Sequence, residues 1–175
     1  MKRTIMLAVG LVMMPFVGPV SRAEATGVAL CSVTATITFS AGTLAATGGA
    51  WTIGPGVISC QGLFNGYERI MGPGSFTGSG TYKAFPDGSG TCLRNVGTGT
   101  LDYGFPTSQA DIHLVEPSTY TLAGAGTFMT PSLRGTFQVA PLDGDCVTKP
   151  VTTGVFVAEV TLVRFVPPDP SRHLP

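Results

Sequence analysis

From Val33 to Ser40 the chain reads Val-Thr-Ala-Thr-Ile-Thr-Phe-Ser, apolar and hydroxyl residues alternating without a break. Successive side chains of a strand point to opposite faces, so Val33, Ala35, Ile37 and Phe39 share one face and the hydroxyls the other. A helix would scatter the same residues around its circumference. Leu101-Asp-Tyr-Gly-Phe105 and Asp111-Ile-His-Leu114 repeat the alternation. Gly154 to Val166 is apolar on nearly both faces, which predicts a central strand covered on two sides. Gly54-Pro55-Gly56, Gly72-Pro73-Gly74, Pro86-Asp87-Gly88, Pro117-Ser118 and Asp143-Gly144-Asp145 carry turn chemistry. They divide the chain into strand candidates roughly every 8 to 12 residues, the rhythm of a sandwich or barrel. With no stretch of helical periodicity behind the leader, residues 26–166 are expected to form one all-β antiparallel domain, a β-sandwich or a β-barrel.

A second pattern runs through the middle of the chain. Gly-x-Gly-Ser/Thr followed by another core-type residue occurs at Gly72–Phe76, Gly78–Tyr82, Gly88–Cys92, Gly97–Leu101 and Gly124–Phe128, with a shorter form at Arg134-Gly-Thr-Phe137. A phosphate-binding loop has one copy, placed before a helix whose N-terminus faces the anion. Here there are several copies, no Gly-x-Gly-x-x-Gly and no Gly-Lys-Ser/Thr. The motif therefore reads as punctuation at strand starts: glycine relieves a turn or bulge, threonine suits the pleat and the next residue enters the core. No cofactor is expected. The uneven spacing of the copies also argues against a solenoid or propeller.

The ends look like processing segments. Lys2 and Arg3 precede an apolar run from Ile5 to Val17, and Ala23-Glu24-Ala25 supplies a small-x-small cleavage pattern, so residues 1–25 are expected to be a cleaved export signal. The run is shorter than the roughly 20 residues that span a bilayer, and no membrane span is expected in the mature chain. Leu30 directly before Cys31 argues against a lipoprotein anchor. Residues 167–175, rich in proline, read as a disordered tail. The whole chain has ten Lys and Arg against ten Asp and Glu. Removing the leader with Lys2, Arg3, Arg22 and Glu24 leaves a net charge of −2 and no basic cluster. A nucleic-acid surface needs such a cluster to displace phosphate counterions, so nucleic acid is not an expected partner. With 11% charged and 43% hydrophobic residues, the composition is opposite to that of a disordered chain.

Four cysteines, Cys31, Cys60, Cys92 and Cys146, all fall behind the leader. An even count in an exported chain points to disulfides, and no pair has the Cys-x-x-Cys spacing of a zinc site. Three pairings are possible. Cys31–Cys60 with Cys92–Cys146 is preferred because each joins sequence neighbours and closes a modest loop.

Candidate chemistry is sparse. His113 shares a strand face with Asp111, but no Gly-x-Ser-x-Gly elbow supplies a nucleophile. Asp102, Asp111 and Glu116 are the central acids that a secreted hydrolase could pair across a cleft. Asp143 and Asp145 offer carboxylates in one turn, without the fuller calcium-loop pattern. No catalytic or metal-binding residue is assigned. Trp51 is the single tryptophan, and together with Tyr67, Tyr82 and Tyr103 it is a candidate to reach an internal cavity.

Gly49-Ala50-Trp51 is similar to the Gly-x-Trp in the first strand of small ligand-binding barrels of the lipocalin and streptavidin type, and Gly-Thr-Tyr82 is similar to streptavidin strands. This chain departs from them in having a strand before Trp51 and no further tryptophan, so the resemblance transfers no ligand and no binding residue. In its combination of leader, four cysteines and Gly-Thr-rich strands, the chain also resembles small exported bacterial β-rich proteins of unknown function, actinobacterial in style. That resemblance implies export and a β-fold. The resulting expectation is an exported, non-catalytic β-domain that binds an extracellular ligand or protein. A carrier barrel for a small apolar ligand and a secreted hydrolase are the alternatives.

Overall fold

The computed structural model describes residues 28–40, 48–87, 94–145 and 148–163. The leader, the tail, Cys92 and Cys146 lie outside the described residues. Among the described residues nine strands follow one another: β1 (Ala29–Phe39), β2 (Gly48–Phe64), β3 (Glu68–Arg69), β4 (Gly74–Lys83), β5 (Arg94–Pro106), β6 (Asp111–Ala123), β7 (Ala125–Met129), β8 (Leu133–Pro141) and β9 (Thr153–Leu162). Their order in the sheet is β1-β9-β8-β7-β6-β5-β4-β2-β3, and β1 pairs with β2 as well. Every pairing is antiparallel. The β1–β2 ladder closes the sheet, so of the two architectures expected from the sequence the fold is the barrel. Eight strands form its wall, and β3 adds a short pairing at the end of β2.

Alternation sets inside and outside. Along β1, Ala29, Cys31, Val33, Ala35, Ile37 and Phe39 are buried and the residues between them exposed. The outer positions of β1 carry Leu30, Ser32, Thr34, Thr36 and Thr38, while the buried cluster is rich in phenylalanine, tyrosine and aliphatic side chains. This is the reverse of a lipid-embedded barrel, whose apolar band faces outward. No helix among the described residues is long and apolar enough to cross a membrane. Cys31 and Cys60 are direct cross-strand partners of β1 and β2, and their disulfide ties the closing seam. This is the first of the two expected pairs.

Several local expectations are corrected by the closed sheet. Gly54-Pro55-Gly56 is not a turn between strands: it lies inside β2, where a cis Gly54–Pro55 bond and a register shift mark a bulge. Pro117-Ser118 lies inside β6. There Pro117 pairs with Thr100 of β5, and β7 begins to pair only from Thr119. Its missing N–H costs nothing on a side with no ladder. β9 is not covered on two faces, because Val157 is 45% exposed on the outside of a single wall. Most of all, the Gly-x-Gly-Thr copies in β4 and β5 are strand interiors. Gly78 and Gly80 pair with Leu101 and Gly99, and Gly97 pairs with Tyr82. Gly88 and Gly90 of a further copy lie outside the described residues. In the Gly78–Tyr82 and Gly97–Leu101 copies the motif is itself period-two, with both glycines and the final core residue facing inward and threonine facing out, whereas Gly124 does stand in a turn, between β6 and β7.

Candidate binding site inside the barrel

Inward glycines clear the space that aromatic side chains from neighbouring strands occupy. The Trp51 indole of β2 crosses over Gly80 and Gly99, where an added Cβ would lie 2.6 and 2.5 Å from a ring carbon. Tyr120 of β6 covers Gly97, with its nearest ring carbon 2.2 Å from a Cβ built there, and Phe137 of β8 covers Gly126 at the same distance. Tyr82 covers Gly49. The rings then meet edge to face. Trp51 and Tyr120 have centroids 6.0 Å apart, as Tyr120 and Phe137 have at 5.8 Å. The Trp51 indole N–H donates to the Thr81 carbonyl at 3.3 Å, which supplies its polar handle a partner.

These rings do not fill the barrel completely. A cavity of about 30 Å³ remains among Phe39, Trp51, Tyr120, Leu122, Phe137 and Phe156, with Ser118 also on its wall. An eight-stranded barrel has an interior just wide enough to be filled by side chains or to hold one small ligand, and this one stands close to the filled limit. Burial pushes the Tyr120 hydroxyl well above the ordinary tyrosine range, and nearby Tyr82 adds to the shift.

The other half of the interior holds a charge. Glu116, 7% exposed, accepts hydrogen bonds from the Tyr103 hydroxyl at 2.6 Å, the Thr130 hydroxyl at 2.5 Å, and the Ser132 hydroxyl and amide at 2.6 and 3.1 Å. Burial pushes its carboxyl up, and the bonds from Ser132, Thr130 and Tyr103 more than offset that, leaving it below the usual glutamate range. Burial first, then the bond to Glu116, drives the Tyr103 hydroxyl far above its ordinary value. The network pins the β7–β8 turn against the stretch of β6 that β7 does not reach.

The structure separates the expected site residues. Trp51 lines the cavity, and Tyr82 packs edge-on to the cavity residue Phe39 with centroids 5.8 Å apart. Tyr103 sits instead on Glu116 in the other half. Tyr67 does not reach the cavity at all, being 64% exposed at the β2–β3 turn. Tyr120, overlooked because Pro117-Ser118 reads as a turn, takes the place expected for these tyrosines. Of the acids, Asp111 is exposed and Asp102 meets His113 at 2.7 Å on the outer face, while Glu116 points inward. The four groups that a hydrolase would gather are thus divided between two faces of the wall. Asp143 accepts bonds from the Thr152 hydroxyl and the Thr152 and Thr153 amides. Asp145 accepts from Thr148 and Lys149. Both carboxylates brace the β8–β9 connection. Comparison with known proteins returned no matching family model, no matching curated protein and no matching solved structure.

Proposed function

We propose that this chain is an exported, non-catalytic binding protein whose barrel holds a small apolar guest beside Trp51, Tyr120 and Phe137. The observation that carries this reading is the apolar void at that end of an otherwise packed interior. Its size limits the guest. The void is a fraction of the roughly 150 Å³ that takes up benzene in an engineered core, so it suits a group no larger than a methyl. Export is supported by the basic, apolar and small-residue leader and by the Cys31–Cys60 disulfide, of a kind that persists in oxidising compartments.

Methane dissolved under pressure is a suitable probe, read at the indole N–H resonance of the single tryptophan. A saturable shift of the Trp51 signal is expected. Leu122→Ala, which widens the void, should admit the larger butane and shift the same signal. Absence of any shift up to the solubility limit in both proteins would overturn the reading.

A further inference from the structure

At one end of the barrel the outer face stops being polar. The outward positions of β1 are hydroxyl residues from Ser32 to Thr38, but Val28 and Leu30 before them are apolar, and Leu30 is 66% exposed. Leu30 pairs with Gln61 and Ala29 with Gly62, so Val28 comes beside Leu63 of β2. Leu63 in turn pairs with Arg69 of β3. The Ile70 amide donates to the Gly62 carbonyl, which brings Met71 level with Gln61. Tyr67 and Met71 stand on either side of Arg69, all three exposed. Side chains on one face of paired strands lie about 5 Å apart, so Val28, Leu30, Leu63, Tyr67 and Met71 form one surface. They are five of the ten large apolar residues exposed among the described residues, and the other five are divided among β2, β6, β7, β9 and the β8–β9 connection. Single exposed apolar residues are ordinary, whereas a contiguous group marks a contact surface.

We propose that this face docks on an anionic membrane surface, its apolar side chains entering the headgroup region and Arg69 meeting lipid phosphates. Arg69 is the one charged residue within the face, and its guanidinium has no ion pair among the described residues. The exposed acids Glu159 and Asp111 border it on β9 and β6 without entering it. A second copy set face to face would bring two uncompensated cations together. Five apolar side chains also fall short of the roughly 20 to 30 residues a side in a stable protein interface. A bilayer supplies phosphates for the arginine, and its headgroup zone suits an amphipathic tyrosine. The course of the chain points the same way. Val28 stands three residues past Ala25, so during export this face is the part of the domain nearest the membrane-held leader. Docking does not require an occupied cavity.

Co-sedimentation with lipid vesicles tests this, using the chain from Thr26 onward, which keeps every described residue. It is expected to sediment with phosphatidylglycerol vesicles and more weakly with phosphatidylcholine. Arg69→Gln should weaken the first about fivefold, equivalent to the about 1 kcal/mol that one basic residue contributes at an anionic surface, and leave the second unchanged. Leu30→Gln combined with Met71→Gln alters exposed side chains only, so the fold should persist. Partition onto both kinds of vesicle should then fall at least about tenfold. Val157→Gln, exposed elsewhere on the wall, should change neither. The proposal is overturned if the wild type stays in solution beside phosphatidylglycerol vesicles, or if the Leu30/Met71 double variant partitions as the wild type does. A wild-type dimer in analytical ultracentrifugation that the same double change dissociates would assign the face to a second copy instead.

Discussion

At position 116 a carboxylate sits inside the barrel, and the groups that hold it, Tyr103, Thr130 and Ser132, are neutral donors. Removing a charge from water is costly unless its lone pairs are taken up, and here the two oxygens share four bonds. Because these bonds hold the folded carboxyl below its usual range, its contribution is complete above the unfolded glutamate value of about 4.3. That contribution is lost as the pH falls through the lower, folded value. Glu116→Gln is therefore expected to cost about 2 kcal/mol near neutrality, as hydrogen bonds to a charged group do. The gap to the wild type should close progressively in acid below the unfolded value. Urea midpoints measured across that range check this, and a gap that stays constant into strong acid would show that the charge is not what stabilises. The residue scale also separates two kinds of glycine. Gly124 has φ of +85° with open space around it, whereas Gly126 lies under the Phe137 ring.

That distinction becomes a prediction at the scale of the elements. Gly126→Ala forces β7 and β8 apart or turns Phe137 out of its place, an overpacking cost of about 1–3 kcal/mol. A smaller side chain at 137 should relieve it. The double variant Gly126→Ala/Phe137→Leu is expected to be more stable than the sum of the single changes by about 1 kcal/mol, within the range found for residues in contact. Strict additivity in chemical denaturation would mean that the glycine is there for its backbone and not for the ring. The same logic explains why Gly-x-Gly-Thr is so frequent in β4 and β5: each copy opens two inward sites for rings from neighbouring strands. Another element-scale signal, Asn65-Gly66, has positive φ at both residues and turns β2 into β3, as Asn-Gly does in hairpins.

For the whole molecule the decisive event is closure. β1 pairs along its length with both β2 and β9, so the two ends of the described chain meet in the β1–β9 seam, and a disulfide ties β1 to β2 beside it. Neighbouring strands elsewhere are consecutive in sequence, or separated only by the two-residue β3 as β2 and β4 are, and can pair early. The seam requires the longest loop to close, an entropic cost that only a complete barrel offsets. Hydrogen exchange is expected to show β1 amides among the slowest, opening only with global unfolding, and the two-residue β3 among the fastest. Fast exchange along β1 with protection retained in β4 to β6 would mean that the sheet is stable without closure.

Much of this was legible in the sequence. Strict alternation in Val33–Ser40, Leu101–Phe105 and Asp111–Leu114 determined strands and their buried faces, because the two-residue period of a strand is a local property of the backbone. Cys31 and Cys60 could be paired by proximity in sequence for the same reason, as partners on adjacent strands. Tertiary structure alone decided sandwich against barrel, since closure depends on how the wall curves and not on any one strand. It alone turned Gly54-Pro-Gly and Pro117-Ser118 from turns into a bulge and an open strand side, because what matters there is whether a neighbour requires the missing N–H. It also decided that Trp51, Tyr82 and Tyr120 surround one end of the interior while Tyr103 serves Glu116 midway along β6. Alternation says that a side chain points inward, but which other inward side chains it meets is set by the register around the whole barrel.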